Sequence, residues 1–276
     1  MSKTVLITGG NSGIGFEMAL ALAARGDRVI IAARDEAKSA AAVASIKAAH
    51  PDAQIAAVKL DLADFGHIDR FTEYLLKRVP VIDVLILNAG LYTLKLHTLP
   101  SGYEAMIGVM HFGHFRLVQR LLDAVVAAPQ GRIVVTSSVM HKLGRIDARS
   151  FTNPKKHFSG LQAYGQAKLA NLLFTRELAR RLKDTRVTVN AFHPGAVATD
   201  IYRQVPAALR RLATAFMLTP KQGADTAVWM ATDEKFKGVT GKYYVSRQRR
   251  RGSAASRDPE LAAKLWQLSE RAMKAS

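Results

Sequence analysis

A tyrosine stands four residues ahead of a lysine in the run Tyr164-Gly165-Gln166-Ala167-Lys168. On a helix this spacing puts the phenol and the ammonium on one face. A free phenol titrates at about pH 10, too high to trade protons at neutral pH. A neighbouring cation favours the phenolate and draws that value down. Upstream, Ser138 offers a hydroxyl, and Thr8-Gly9-Gly10-Asn11-Ser12-Gly13-Ile14-Gly15 forms a glycine-rich turn near the N-terminus. A turn of this kind lets backbone N–H groups approach a dinucleotide pyrophosphate, which would give the tyrosine a redox partner.

These residues need a scaffold, and the hydrophobic pattern supplies one. Apolar strand-like runs at 3–8, 27–32, 54–59, 83–87, 131–137, 187–193 and 241–245 alternate with helical stretches at 13–25, 35–49, 64–78, 103–128, 160–183 and 221–231. Runs such as Val84-Leu85-Ile86-Leu87 and Ile133-Val134-Val135 are apolar throughout, as in parallel strands buried on both faces. The alternation predicts an α/β protein: a Rossmann-like, doubly wound, mostly parallel sheet of seven strands with helices on both faces. No repeat or low-complexity linker divides residues 1–276, so they read as a single dinucleotide-binding catalytic domain closed by a helix at 258–274. Segments 139–160 and 199–219 fall outside the rhythm. The first is a loop leading to the Tyr164 helix.

The turn carrying Gly9, Asn11, Ser12, Gly13, Ile14 and Gly15 lies between the first strand and the first helix, where a phosphate turn must lie. The second strand ends in Ala33-Arg34-Asp35, and Arg34 follows Gly15 by 19 residues. An acid at this place binds the ribose hydroxyls of NAD, whereas an arginine neutralises the 2′-phosphate of NADP. Arg34 favours NADP(H) over NAD(H), while Asp35 either competes for the ribose or caps the following helix. Asp61-Leu62 and Asn88-Ala89-Gly90 follow the third and fourth strands, and His193-Pro194-Gly195 ends the sixth, with Thr199 beyond. All lie at carboxyl ends of strands, where open α/β sheets bind ligands.

Composition narrows the classes. The chain has no Cys, which removes disulfides, Cys-bound zinc and iron–sulfur clusters, and no metal site is expected. Met1-Ser2-Lys3 leads directly into Val5-Leu6-Ile7, and no apolar run approaches the roughly 20 residues that span a bilayer. A soluble, cytoplasmic protein is expected. Its formal charge of +18 includes Arg247, Arg249, Arg250 and Arg251, with Lys155-Lys156 elsewhere. A solvated basic surface or peripheral contact with an anionic membrane fits this charge. Nucleic-acid binding is disfavoured, because basic and aromatic residues are not interleaved.

Taken together, Thr8-Gly9-(three residues)-Gly13-Ile14-Gly15, Asn88-Ala89-Gly90, Ser138, Tyr164-(three residues)-Lys168 and Pro194-Gly195 resemble the short-chain dehydrogenase/reductase family over essentially the whole chain. The segments Ser137-Ser138-Val139-Met140-His141, Gly241-Lys242-Tyr243-Tyr244 and Leu265-Trp266-Gln267-Leu268-Ser269 are most similar to its retinol dehydrogenase-like group. Protochlorophyllide reductases are relatives, but they usually carry an active-site Cys. The resemblance implies that Tyr164 exchanges a proton with the substrate oxygen while hydride moves at the nicotinamide. It also implies that Lys168 lowers the tyrosine's pKa and bonds the nicotinamide ribose, and that Ser138, rather than Ser137, bonds the substrate oxygen. Thr199 and the backbone after Pro194 would hold the carboxamide.

One position departs from the family. The usual Asn-His-Leu-Gly-His-Phe is here Met110-His111-Phe112-Gly113-His114-Phe115. The family's Asn holds a water that links the lysine to solvent, whereas a thioether accepts weakly and cannot donate. The expected function is therefore NADP(H)-linked carbonyl reduction or alcohol oxidation on an apolar small molecule. The alternative is a slow or inactive member that senses NADP. His141, Ile201 and Val205 are expected to line the substrate site. The apolar segment 199–219 would cover it as a lid, unless its apolar residues are simply the buried stripe of a helix. The substrate, the direction and the oligomeric state stay open.

Overall fold

Every predicted strand core forms, in the expected order. The computed structural model describes residues 2–152, 158–196 and 218–274. The expected site residues Thr199, Ile201 and Val205 lie outside the described residues, as does most of the 199–219 segment. In chain order the elements begin β1 (Thr4–Thr8), α1 (Gly13–Ala24), β2 (Arg28–Ala33), α2 (Glu36–Ala49), β3 (Ile55–Lys59), α3 (Phe65–Leu76) and β4 (Val84–Leu87). A short α4 (Ala105–Ile107) runs through a π turn (Gly108–Gly113) into α5 (His114–Val126), followed by β5 (Arg132–Thr136). Then come a 3₁₀ turn (Val139–Leu143), α6 (Arg149–Thr152), α7 (Gly160–Arg181) and β6 (Thr188–His193). The chain ends with α8 (Pro220–Thr232), β7 (Tyr243–Val245), β8 (Gln248–Arg250) and α9 (Pro259–Lys274).

The strands form one sheet in the order β3-β2-β1-β4-β5-β6-β7-β8, parallel up to β7. Alternate residues feed two cores. Leu6, Leu85, Ile133 and Val189 pack against α3, α5, α7 and α9. Val5, Ile7, Ile86 and Val134 pack against α1, α2 and α8. The strand order reverses between β1 and β4, which opens a crevice at their carboxyl ends.

Two features differ from the sequence expectation. The sheet has an eighth strand, β8, antiparallel to β7, with Val245 opposite Gln248. Ser246 and Arg247 form the two-residue turn with φ of 48° and 58°. Both central residues are left-handed, the conformation that usually calls for Asn or Gly. Neither is present, and the strand itself is Gln-Arg-Arg, so the sequence carried no hairpin signal. The expected helix 103–128 contains the π turn, which holds Met110.

Candidate active site

The phosphate turn is built by close backbone approach. Gly9 and Gly13 have φ of 66° and 53°. A Cβ on Gly15 would collide with the Gly9 carbonyl and sit 2.6 Å from Asn88 Nδ2. Asn88 locks the turn to β4: its Nδ2 donates to the carbonyls of Thr8 at 3.0 Å and Gly9 at 3.3 Å. Thr8 Oγ1 accepts from the backbone N–H groups of Asn88 at 2.9 Å and Ala89 at 3.0 Å. Ser12 is exposed at the N-cap of α1, and its side chain makes no capping bond. The turn thus presents a helix N-terminus, a free hydroxyl and a surface only glycines can form, and it fits a dinucleotide pyrophosphate.

The β2 corner is organised by Asp35. Asp35 caps α2, with Oδ1 accepting from Lys38 N at 3.0 Å. That backbone bond holds its carboxyl below the usual carboxylate range. Asn11 Nδ2 donates to the Asp35 carbonyl at 3.3 Å and to Ser39 Oγ at 3.1 Å, fastening the corner to the glycine turn. Arg34 is exposed and has no ion-pair or hydrogen-bond partner among the described residues. Asp61 accepts from Ala63 N at 3.0 Å. Leu62 is buried with its carbonyl against Gly113, where a Cβ would clash.

Across the crevice, β5 delivers two serines with different employments. Ser137 Oγ donates to the Lys168 carbonyl at 2.8 Å. Ser138 Oγ accepts from Met140 N at 3.2 Å, which leaves its own proton free. Ser137 Oγ is thus spent on the α7 backbone, whereas the Ser138 hydroxyl proton has no acceptor among the described residues. Helix α7 lies directly against the turn after Ser138. A Cβ on Gly165 would sit 2.9 Å from the Met140 carbonyl oxygen, and one on Gly144 would collide with the Gly165 carbonyl. The two glycines bring the Ser138 segment onto the residue next to Tyr164.

Lys168 is 3% exposed, and its Nζ lies 5.3 Å from the centre of the Tyr164 ring. Nζ donates to the Thr136 carbonyl at 3.5 Å, and Asn171 Nδ2 shares that oxygen at 3.0 Å. Burial pushes the ammonium down from 10.5 to about 8. Tyr164 is half-buried, edge-on to Tyr92 with ring centres 5.6 Å apart. Tyr92 carries no motif that would have marked it in the sequence.

His141 does not line an open site, contrary to expectation. It is 1% exposed, its Nδ1 donates to the Ser138 carbonyl at 2.6 Å, and its Nε2 accepts from Ser253 N at 3.0 Å. Both ring nitrogens are engaged, so it braces the Ser138 segment from behind.

Met110 is fully buried in the π turn, a form frequent at functional sites. A Cβ on Gly90 would meet Met110 Sδ at 3.1 Å and Lys168 Nζ at 3.7 Å. The thioether therefore fills the space beside the lysine. The Met110 carbonyl accepts from His114 Nδ1 at 3.1 Å, while Thr8 Oγ1 donates to His114 Nε2 at 2.9 Å. The motifs did not single out His114 as the link between the phosphate turn and position 110. Its four-residue spacing from Met110 on a helix was the available signal. Gly195 follows Pro194 at a φ of 93°, beside Leu218.

Burial disfavours the charged form of three histidines around the site. Burial pushes His111 down to about 3, and His114 and His193 to about 4. An unfolded histidine takes its proton near 6.5, so stability from these groups is complete above that pH and is lost as pH falls toward 3–4. The thermal midpoint is expected to fall steadily below pH 6.5; a midpoint unchanged down to pH 5 would contradict neutral burial.

The model of the short chain dehydrogenase family matches residues 3–210. The chain belongs to the short-chain dehydrogenase/reductase family. Its relatives put it in the retinol dehydrogenase-like group of these oxidoreductases. Retinol dehydrogenase 12 of Mus musculus is 40% identical over 269 residues, covering 97% of this chain and 85% of that protein. Retinol dehydrogenase 14 of Mus musculus is 38% identical over 284 residues, with the same coverage. Among solved structures, an uncharacterized protein from Mycobacterium Paratuberculosis has a TM-score of 0.80 at 33% identity, covering 99% of this chain and 93% of its own. A Pseudomonas aeruginosa RhlG/NADP active-site complex shares the fold, with a TM-score of 0.71 at 24% identity over 92% of this chain and 96% of its own. Among the described residues, no helix of this family member is long and apolar enough to cross a membrane.

Proposed function

We propose that this family member interconverts the carbonyl and alcohol of an apolar small molecule using NADP(H), with Tyr164 as the proton donor and acceptor. The buried Lys168 ammonium on the Tyr164 ring carries this reading. NADPH supplies hydride to the carbonyl carbon when bound, and NADP takes it in the reverse direction. The protein's part is orientation and proton handling. Ser138 donates a hydrogen bond to the substrate oxygen. Tyr164 Oη gives that oxygen its proton as the alcohol forms, and the Lys168 ammonium stabilises the phenolate left behind.

An apolar substrate is supported by the rim of the site. Val139 and Leu143 flank the turn after Ser138, and Leu161 stands three residues before Tyr164; they are 41%, 53% and 45% exposed. Leu94 and Leu96, 56% and 41% exposed, follow Thr93, whose carbonyl faces Gly160 at the start of α7. Exposed apolar side chains on the segments that carry Ser138 and Tyr164 suit a surface that meets apolar matter. The relatives' names point to retinol and its aldehyde as the first compounds to try.

Arg34 supports NADP(H) as the preferred cofactor. A ligand that binds only the native state raises its stability with occupancy. NADPH is expected to raise the thermal midpoint more than equimolar NADH, and Arg34→Ala to abolish the difference. Equal upshifts in the unsubstituted protein would remove the NADP preference.

Met110 favours a second reading, a slow enzyme or an NADP sensor. Met110→Asn is expected to raise turnover several-fold and to shift the pH profile, while lowering the thermal midpoint because a polar group enters a buried site. If turnover and pH profile are unchanged, the relay behind Lys168 does not limit this protein.

A further inference from the structure

The sheet edge opposite Arg34 carries a second concentration of positive charge with the features of a built site. A cavity of about 240 Å³ lies between α7, β7, β8 and the 3₁₀ turn Ala255–Arg257 before α9. Arg176, Arg249, Arg250, Arg251 and Arg257 converge on it, together with Lys242. Among the described residues no carboxylate pairs with any of them. Arg176 makes its hydrogen bonds to neutral acceptors: the Ser256 carbonyl, Ser256 Oγ at 3.1 Å and the Arg251 carbonyl at 2.8 Å. Among the described residues, the Arg250 side chain donates to Gln248 Oε1, at 2.6 Å. Burial, and then the Arg257 charge, hold Arg176 below its ordinary range.

Like charges gathered without counter-charge disfavour the folded state, and an anion placed among them would offset that repulsion. A second, independent feature is Tyr243 in the cavity wall. It is 3% exposed, and its buried hydroxyl has no hydrogen-bond partner among the described residues. Burial raises its pKa, so the group is a neutral phenol able to donate. An unpaired buried hydroxyl costs free energy that a ligand acceptor recovers. Arginine forks match phosphoryl oxygens in pairs. The volume is below the about 300–1,000 Å³ of sites for drug-sized ligands, and so suits a headgroup-sized anion.

We propose that this cavity is a phosphoryl-anion site, with the arginines neutralising the charge and Tyr243 donating to one oxygen. The ligand is inorganic phosphate or the phosphomonoester headgroup of a lipid. The site adjoins the catalytic framework through one short stretch of chain. Arg251 holds Arg176 through its carbonyl, and Ser253, two residues on, donates to His141 behind Ser138. An occupied site would steady the segment that braces the catalytic serine.

The test uses the full chain with NADPH present throughout, so that the glycine turn is not the phosphate site read out. Inorganic phosphate is titrated calorimetrically at low salt. Saturable binding is expected, weakened about tenfold or more by Arg249→Gln/Arg250→Gln through lost charge-assisted bonds. Tyr243→Phe removes no charge, yet is expected to weaken binding roughly three- to tenfold. It should leave the ligand-free thermal midpoint unchanged or higher. Lys77→Gln/Arg78→Gln removes the same charge from exposed positions on another surface and should change affinity less than about twofold. Phosphatidylcholine vesicles with and without phosphatidic acid distinguish the sources. Sedimentation only with phosphatidic acid, competed by phosphate, assigns the headgroup; saturable phosphate binding without sedimentation assigns the free ion. Absence of saturable phosphate binding, equal weakening by Lys77→Gln/Arg78→Gln, or full affinity in Tyr243→Phe would each overturn the site.

Discussion

Tyr164→Phe is expected to lower kcat by about 10²–10⁴-fold, the usual worth of a positioned acid–base group, while leaving NADPH affinity within about twofold. The substitution removes one oxygen from a half-buried ring and keeps its edge-on contact with Tyr92. The fold, the glycine turn and Arg34 stay as they are, so the loss should appear in kcat rather than in cofactor binding. Substrate KM should change little, because Ser138 retains a free proton to hold the carbonyl oxygen. A parallel rise in the Kd for NADPH would show that the oxygen serves binding instead. Undiminished turnover would move the proton transfer to another group.

Lys168→Met should push activity and stability in opposite directions. The lysine is 3% exposed and stays charged at neutral pH against the desolvation that draws it from 10.5 to about 8. Its native value is the lower one, so between pH 8 and the ordinary lysine range the unfolded chain binds the extra proton. This group's contribution to stability therefore rises with pH across that window. At neutral pH the buried charge costs on the order of 3 kcal/mol, taking about 1.4 kcal/mol per tenfold. Methionine has a similar length and no charge, so Lys168→Met is expected to raise the thermal midpoint at pH 7 and to flatten the rise above pH 8. Without the ammonium the Tyr164 phenolate loses its stabilising field, and turnover should fall at least 10²-fold. A variant both less active and less stable would mean that the 3.5 Å bond to the Thr136 carbonyl outweighs the desolvation.

Local chemistry made much of this legible in advance. The Tyr164–Lys168 face follows from helix geometry alone, and the glycine turn follows from residues that must lie between a strand and a helix. The parallel strands showed as unbroken apolar runs because both of their faces are buried. What sequence could not show were relations set by distant partners. His141 looked available because nothing in the sequence says that Ser253, 112 residues away, takes its second nitrogen. Ser137 and Ser138 could be told apart only by resemblance until the Lys168 carbonyl claimed the first. The eighth strand was hidden by a left-handed Ser246-Arg247 turn without Asn or Gly. The π turn was hidden because its altered hydrogen bonding leaves the apolar pattern of a helix intact. The basic cluster was visible as charge, but its convergence with Tyr243 on one cavity depends on β8 folding back beside β7.

NADPH oxidation by the full chain, with aldehydes and ketones of increasing apolar surface, retinal included, tests the proposed reaction most directly. Turnover is expected, with a kcat/KM that rises with apolar surface and that Tyr164→Phe removes. NADPH binding without turnover on any of these carbonyls, or turnover equal in the Tyr164→Phe protein, would contradict it.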